Sequence, residues 1–377
     1  WPRSPMGKGV LVTGASGFVG KRLLHELLRD GKLVYTLVRS REARDAIVKD
    51  VGMRDNLRFL RGDIKEELCG IQNIMLHRLG RDVDEVWHLA ASTSFDASKT
   101  EEIEKINVGG TLKMLGLASL LPNLKEFVYM STAYVCGTQG GVIPERVFDK
   151  VQGTFKNPYE RTKFECEQRV KNAPLSCKKK IVRPSIIVGD SRTGETFGDD
   201  KVFYGYVRAL YNAVLHAVGG KESYRGHYDN AITPHQYLDV DARLPGSGAA
   251  TKNVVCIDDV INVCRAVRGS DAEVFNVVNP ATITMDDATA IIADALKVKG
   301  FSHDPLFIDR AHSRNKVERA AMRYTQAYWP YGSHVEPEWQ DDNVQALGVQ
   351  RVVMTPTLFS HLKRAYVERH IVPQCPD

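Results

Sequence analysis

At 377 residues the chain is long enough for one large domain or two ordinary ones, each with a sizeable core. Hydrophobic residues at 43% and charged residues at 26% exclude a disordered chain. A formal net charge of +5 with no long Lys/Arg block excludes a nucleic-acid arm and suits acidic ligands such as phosphates.

Seven scattered cysteines, with no C-x-x-C pair and no histidine at zinc spacing, indicate neither a disulfide framework nor a metal site. No window reaches the roughly 18 apolar residues of a membrane span, and no signal-peptide core opens the chain. A reducing, cytoplasmic setting without an integral membrane segment is the expectation. Trp1 in place of an initiator methionine sets the further expectation of a piece of something longer.

In chain order, the first half alternates short β-branched runs with helix-period stretches, the pattern of a parallel sheet wrapped by helices. Strands are expected at 9–13, 33–38, 57–61, 85–89, 126–130 and 180–187, with helices at 17–29, 99–119 and 158–171. The run Lys178-Lys179-Lys180 reads as a solvated loop before the last strand. Beyond Gly189 a Gly- and Asp-rich passage leads to an aromatic helix over 202–218, and the chain turns mostly helical from His312. A strand-helix unit at 253–268 still carries the earlier rhythm. The expected division is therefore 1–190 with 253–278 as a nucleotide-binding domain, and 191–252 with 279–377 as a substrate-binding or lid region. The late aromatics Tyr324, Tyr328, Trp329, Tyr331 and Trp339 read first as core, and second as a lining for an apolar substrate.

The most informative stretch is "GVLVTGASGFVGKRLLHELLRDG", Gly9 to Gly31. A buried strand ends at Thr13, glycines follow at 14, 17 and 20, and an amphipathic helix closes at Gly31. Gly14 permits the tight turn, Gly17 lets backbone N–H groups approach a pyrophosphate, and Gly20 lets helix pack on strand. The helix N-terminus then favours the phosphate charge. Strand, loop, helix and second strand in one unit of roughly thirty residues point to a dinucleotide. The second strand ends in Arg39, where an NAD site usually places an acid for the ribose 2′-hydroxyl, so NADPH is favoured, with Arg41 and Arg44 as possible assistants. Asp63, after the third strand, is placed either to reach the adenine edge or to form a turn.

A second motif is "NPYERTKFECEQRV", Asn157 to Val170, in which Tyr159 and Lys163 lie one helical turn apart behind an Asn-Pro helix start. Gly14-x-x-Gly17-x-x-Gly20 followed by Tyr159-x-x-x-Lys163 resembles the extended short-chain dehydrogenase/reductase family. "VWHLAA", "INVGGT", "VYMSTAYVCG" and "VRPSIIVGD" carry the resemblance onward to about residue 280. Within that family, "VWHLAASTSF", "YMSTAYV" and "RPSIIVGDSRTGE" look most like fatty acyl-CoA reductases and the thioester-reductase domains of carboxylic acid reductases.

The resemblance implies an α/β fold: a Rossmann-type doubly wound parallel sheet with a smaller, mostly helical C-terminal substrate region. It implies catalytic roles for Tyr159 and Lys163, with Thr132 orienting the substrate carbonyl, Ser131 as second choice, and Asn107 supporting the lysine. Lys163 and the helix dipole are expected to lower the tyrosine pKa. The implied NADPH contacts are Thr13, Gly14, Ser16, Gly17, Phe18, Val19, Gly20, Arg39, Arg44, Asp63, Ile64, Leu89, Ala90, Ala91, Lys163, Pro184, Ser185 and Ile187. The implied substrate is an acyl thioester on CoA or a carrier protein, reduced to an aldehyde or, with a second hydride, on to the alcohol. Two other chemistries use the same fold: ketone reduction of hydroxysteroid or dihydroflavonol type, and sugar-nucleotide epimerisation or dehydration. A cofactor-sensing scaffold is the non-enzymatic alternative.

Overall fold

The computed structural model describes residues 9–196, 203–332 and 335–375. The chain forms two compact units. The first comprises the chain up to Ser185 together with Asp259–Val278 and Glu338–Gln350, and the second Ile186–Asp258, Asn279–Pro337 and the chain from Arg351.

In chain order the first unit begins β1 (Gly9–Thr13), α1 (Phe18–Arg29), β2 (Leu33–Val38), α2 (Arg41–Val51), β3 (Leu57–Arg61), α3 (Asn73–Asp82) and β4 (Val83–His88). It continues with α4 (Thr100–Glu104), α5 (Gly110–Ser119), β5 (Glu126–Met130), β6 (Val142–Ile143), α6 (Pro158–Asn172) and β7 (Lys178–Pro184). The sheet has seven strands in the order Val274–Val277, β7, β5, β4, β1, β2, β3, and every pairing is parallel. Helices cover such a sheet on both faces, which is why its strands read as near-continuous apolar runs; all five residues of β1 are buried. The chain lays β2 and β3 to one side of β1 and then returns to place β4 on the other. That reversal opens a crevice beyond the carboxyl ends of β1 and β4, the usual ligand position in such sheets.

Between α4 and α5 the backbone makes a π-helical turn over Lys105–Gly109, so the expected helix over 99–119 is interrupted where Asn107 sits. The expected strand over 180–187 is also split. β7 ends at Pro184, Ser185 N bonds Val277 O, and a separate strand, Ile186–Val188, belongs to the second unit. Lysines 178–180 lie within β7 rather than in a loop. Lys180 is buried along its stem, and its ammonium meets Glu126 at 2.8 Å.

The second unit holds a three-stranded sheet of Thr282–Thr284, Thr251–Cys256 and Ile186–Val188, and a parallel pair of Leu238–Pro245 with Val298–Asp304. Its long helices are Phe203–Val218, Met285–Ala295, Lys316–Thr325 and Pro356–Tyr366; residue 202, the expected start of the first of these, lies outside the described residues. The strand at 253 thus joins this small sheet, not the large one. A β-branched run carries no information about which sheet will pair it, and the seventh strand of the large sheet is Val274–Val277 instead. The stretch Glu338–Gln350, expected in the lid region, belongs to the first unit. No helix among the described residues is long and apolar enough to cross a membrane.

One buried ion pair ties α6 to β7. Arg183 donates from Nε to Glu167 Oε1 at 2.8 Å and from Nη2 to Oε2 at 2.5 Å, with both side chains excluded from solvent. Carbonyls of Pro144 and Arg146 take further guanidinium N–H groups. Removing one partner strands the other charge. Arg183→Met is expected to cost about 3–5 kcal/mol in urea unfolding followed by circular dichroism, and Arg183→Met with Glu167→Met much less.

Candidate functional site

The three glycines after β1 divide their labour. Gly14 has φ +74°, and a Cβ there would lie 2.7 Å from Ala90 N. A Cβ on Gly20 would lie 2.1 Å from Gly14 O. The fold itself requires both. At Gly17 the nearest contact of a Cβ is Gly14 O at 3.3 Å and φ is −79°, so a side chain needs a shift of a few tenths of an ångström but no change of backbone conformation. Gly17 is also the N-cap of α1, which has no side-chain cap and no acidic residue in its first turn. Uncapped amides beside a bare Cα form a cradle for an anion of pyrophosphate size, and a nicotinamide dinucleotide fits it.

Behind the cradle runs one chain of buried hydrogen bonds. Ala90 N donates to Thr13 Oγ1 at 3.2 Å, and that hydroxyl donates to His88 Nδ1 at 2.8 Å, a direction set from the far end, where the Asn107 carbonyl can only accept. His88 Nε2 then donates to Thr111 Oγ1 at 3.2 Å, Thr111 to Cys166 Sγ at 3.4 Å, and the thiol to the Asn107 carbonyl at 3.3 Å. Burial, helped by the nearby Lys163 ammonium, depresses the His88 pKa to about 3, so the imidazole is neutral as these directions require. Sequence reasoning missed His88, Thr111 and Cys166. The signal was a histidine inside the otherwise apolar "EVWHLAA".

The π turn lets Asn107 serve two elements at once. Its amide oxygen takes Ser92 N at 2.7 Å, while Nδ2 donates to Ser92 O at 3.0 Å and to Thr162 Oγ1 at 2.9 Å. Asn107 therefore reaches the neighbour of Lys163 and fixes the strand-end loop against α6.

α6 starts as expected, with Asn157 Oδ1 accepting from Glu160 N at 2.9 Å and Pro158 in the first turn. Tyr159 shares a side-chain hydrogen bond with Thr132. Lys163 is buried, donates to Met130 O at 2.6 Å, and places Nζ 4.6 Å from the Tyr129 ring centroid and 5.9 Å from that of Tyr159. Ser131 donates to Glu167 Oε1 at 2.6 Å. The ion pair of the fold thus holds Ser131, while the next hydroxyl, Thr132, joins Tyr159.

The tyrosine pKa runs opposite to expectation. Burial raises it, the Glu160 carboxylate raises it further, and the Thr132 hydrogen bond pulls it back only in part. The Lys163 ammonium is directed to Met130 O instead. Lys163 itself falls to about 8, first through burial, with Cys166 and Glu167 opposing. At neutral pH the site holds a protonated phenol and a largely protonated lysine.

At the far end of the sheet, Arg39 lines an open cavity of ≈ 560 Å³ with Phe59, Arg61, Asp63, Gly70 and Gln72 among its walls. Arg61, which the sequence reading passed over, adds a second guanidinium to a wall that also carries the carboxylates of Asp63 and Glu66. Arg44 lies over the Phe59 ring at 5.4 Å. Asp63 forms a turn, accepting from Lys65 N at 2.9 Å, and Ile64 is buried in the core. Ser185 Oγ is buried without a hydrogen-bond partner, beside the buried Pro184. Leu89 N bonds Thr13 O at 3.3 Å, so Leu89 and Ala90 line the same strand ends as the cradle. Ile187 belongs to the second unit.

The family model described as Male sterility protein, an NAD-binding family, matches residues 12–241, more than half of the chain. The chain belongs to that family, within the extended short-chain dehydrogenase/reductases. Fatty acyl-CoA reductase 1 of Gallus gallus is 30% identical over 224 residues, 48% of this chain and 43% of the relative. The nonribosomal peptide synthetase asaC of Aspergillus flavus is 31% identical over 238 residues, 56% of this chain and 23% of that protein. The chain thus spans less than half the length of these relatives. The terminal R domain from the myxalamid PKS-NRPS biosynthetic pathway shares the fold at TM-score 0.74 and 21% identity, covering 100% of this chain and 94% of that one. The UDP-glucuronic acid 4-epimerase of Bacillus cereus, solved with UDP-glucuronic acid and NAD, shares it at 0.65 and 17% identity, covering 96% and 99%.

Two outcomes follow from this geometry. Gly17→Ala is expected to change stability by no more than about 1 kcal/mol yet weaken dinucleotide binding at least tenfold by calorimetric titration. The profile of kcat/KM against pH is expected to fall above a midpoint near 8 as Lys163 loses its proton. A profile flat to pH 10 contradicts the role of that ammonium.

Proposed function

For a chain of this family, we propose NADPH-dependent reduction of an acyl thioester, carried on CoA or on a carrier protein, to an aldehyde. The observation that carries the reading is the Thr132–Tyr159 hydroxyl pair, protonated at neutral pH and set one helical turn from Lys163. The activities named for the relatives point the same way.

The bound nicotinamide cofactor supplies the hydride. The cradle at Gly14–Gly20 would hold its pyrophosphate, Arg39 and Arg61 the 2′-phosphate of its adenosine end, and Lys163 its nicotinamide ribose. As the thioester carbon becomes tetrahedral, its oxygen gains charge, and Thr132 and Tyr159 donate to it. Donors aimed at such an oxyanion in a dry site are typically worth a few kcal/mol of barrier. Tyr159 is suited to give up a proton only when strong negative charge arrives, which matches a pKa held above that of an ordinary phenol. Collapse of the hemithioacetal breaks the C–S bond, releasing a thiol and leaving the aldehyde.

An NAD-retaining epimerase is the competing reading, and the paired arginines at the ends of β2 and β3 weigh against it, because an enzyme that recycles its hydride has no use for an exchangeable phosphorylated cofactor.

The test follows absorbance at 340 nm with a panel of acyl-CoA and carrier-bound thioesters while scoring free thiol and aldehyde. One NADPH per thiol is expected for an aldehyde product, and two for an alcohol. Tyr159→Phe is expected to lower kcat by roughly 10²–10⁴. Thiol release without cofactor consumption, or turnover of a nucleotide sugar instead, overturns the proposal.

A further inference from the structure

The segment Glu338–Gln350 returns to the first unit after a long excursion of the chain through the second. Glu338–Trp339 pairs in parallel with β6, through Glu338 N to Gly141 O at 3.0 Å and Gln340 N to Ile143 O at 2.9 Å. Asn343 anchors the other end, donating from N to Glu145 Oε2 at 2.6 Å and from Nδ2 to Val274 O at 2.8 Å. Glu145 also accepts from Asn276 N at 2.8 Å. Between these anchors the Trp339 side chain is buried, and its indole N–H donates to Ala133 O at 3.1 Å.

That carbonyl belongs to the peptide unit joining Ala133 to Tyr134, and the N–H of the same planar unit donates to Thr132 Oγ1 at 3.3 Å. The indole holds one edge of a rigid plate whose opposite edge holds the Thr132 hydroxyl. The turn Ala133–Cys136 adds its own restraints, with the Cys136 thiol donating to the same carbonyl at 3.4 Å and Gly137 N to Tyr134 O at 3.0 Å, and the indole is the contact on Ala133 O that comes from outside the turn. The Tyr134 ring meets the indole edge-on at 5.8 Å and 76°, which keeps the two from sliding. At the far end of the turn Lys156 Nζ holds Gly137 O at 2.9 Å.

We propose that Trp339 is a positioning residue for the active site: through the Ala133–Tyr134 peptide it sets the orientation of the Thr132 hydroxyl. The inference rests on the reading of Thr132 as an oxyanion donor. The return of Glu338–Gln350 to this unit thereby gains a purpose beyond packing, since it delivers the indole that reaches Ala133.

Trp339→Phe keeps a ring against Tyr134 and removes only the donor. Turnover with the best thioester is expected to fall at least tenfold in kcat while KM for thioester and for NADPH stays within twofold. Amide hydrogen exchange at Tyr134 is expected to accelerate at least tenfold, with 9–20 unchanged. Glu145→Gln loosens the distal anchor without touching the indole, and is expected to shift both readouts in the same direction by less; it decides the matter if Trp339→Phe does not fold. Unchanged exchange at Tyr134, or a lower melting temperature with kcat per folded molecule unaltered, overturns the proposal. If the wild-type protein reduces no thioester, the functional reading fails separately, and the exchange measurement alone decides whether Trp339 holds the turn.

Discussion

The first unit depends on the buried chain of hydrogen bonds that begins at Ala90 N and passes through Thr13, His88, Thr111 and Cys166 to the Asn107 carbonyl. Each link has one direction when followed back from the Asn107 carbonyl, which can only accept, and the imidazole at the centre is neutral. In a low-dielectric interior such a chain is expensive to leave partly made, so it specifies one arrangement rather than several. It joins β1, β4, α5, α6 and the π turn. The elements that cradle a cofactor are thereby fixed against the helix that carries Tyr159 and Lys163.

A similar division governs the residues that face each other across β5 and α6. Ser131 and Thr132 are adjacent and chemically alike, yet the buried Glu167–Arg183 pair takes the first and leaves the second for Tyr159. Glu167 lies one helical turn beyond Lys163 on α6, and its charge opposes the desolvation that lowers the lysine pKa. An ion pair that reads as structural thus settles which hydroxyl and how much positive charge the site presents. Arg183 announced itself in the sequence only as a cation inside an apolar strand.

Much of the scaffold was legible because its strands are short, buried and bounded by glycine or helix starts. β1, β2, β3 and β5 match the expected limits, and Asn157-Pro158 marked the start of α6. What was not legible depends on partners distant in the chain. Periodicity shows a helix over 99–119 but is blind to the i→i+5 turn that frees Asn107. Three consecutive lysines look solvated until a long aliphatic stem is buried and its ammonium finds Glu126 across the sheet. The strand at 251–256 carried the same β-branched signature as those of the large sheet, yet it pairs with Ile186–Val188. Trp339 was read among five late aromatics as core, and nothing local distinguishes the one whose N–H reaches Ala133.

The direction of the Tyr159 shift has a chemical consequence. A phenol whose anion is disfavoured by burial and by Glu160 is a poor base at rest, so it is ill prepared to take a proton from an alcohol. It is well prepared to remain a hydrogen-bond donor until a substrate oxygen becomes more basic than itself. A tetrahedral alkoxide formed from a thioester is such an oxygen. The lysine below it, with a pKa near 8, carries its charge only below that pH, whereas the phenol stays protonated well above it. The two shifts share burial as their first cause.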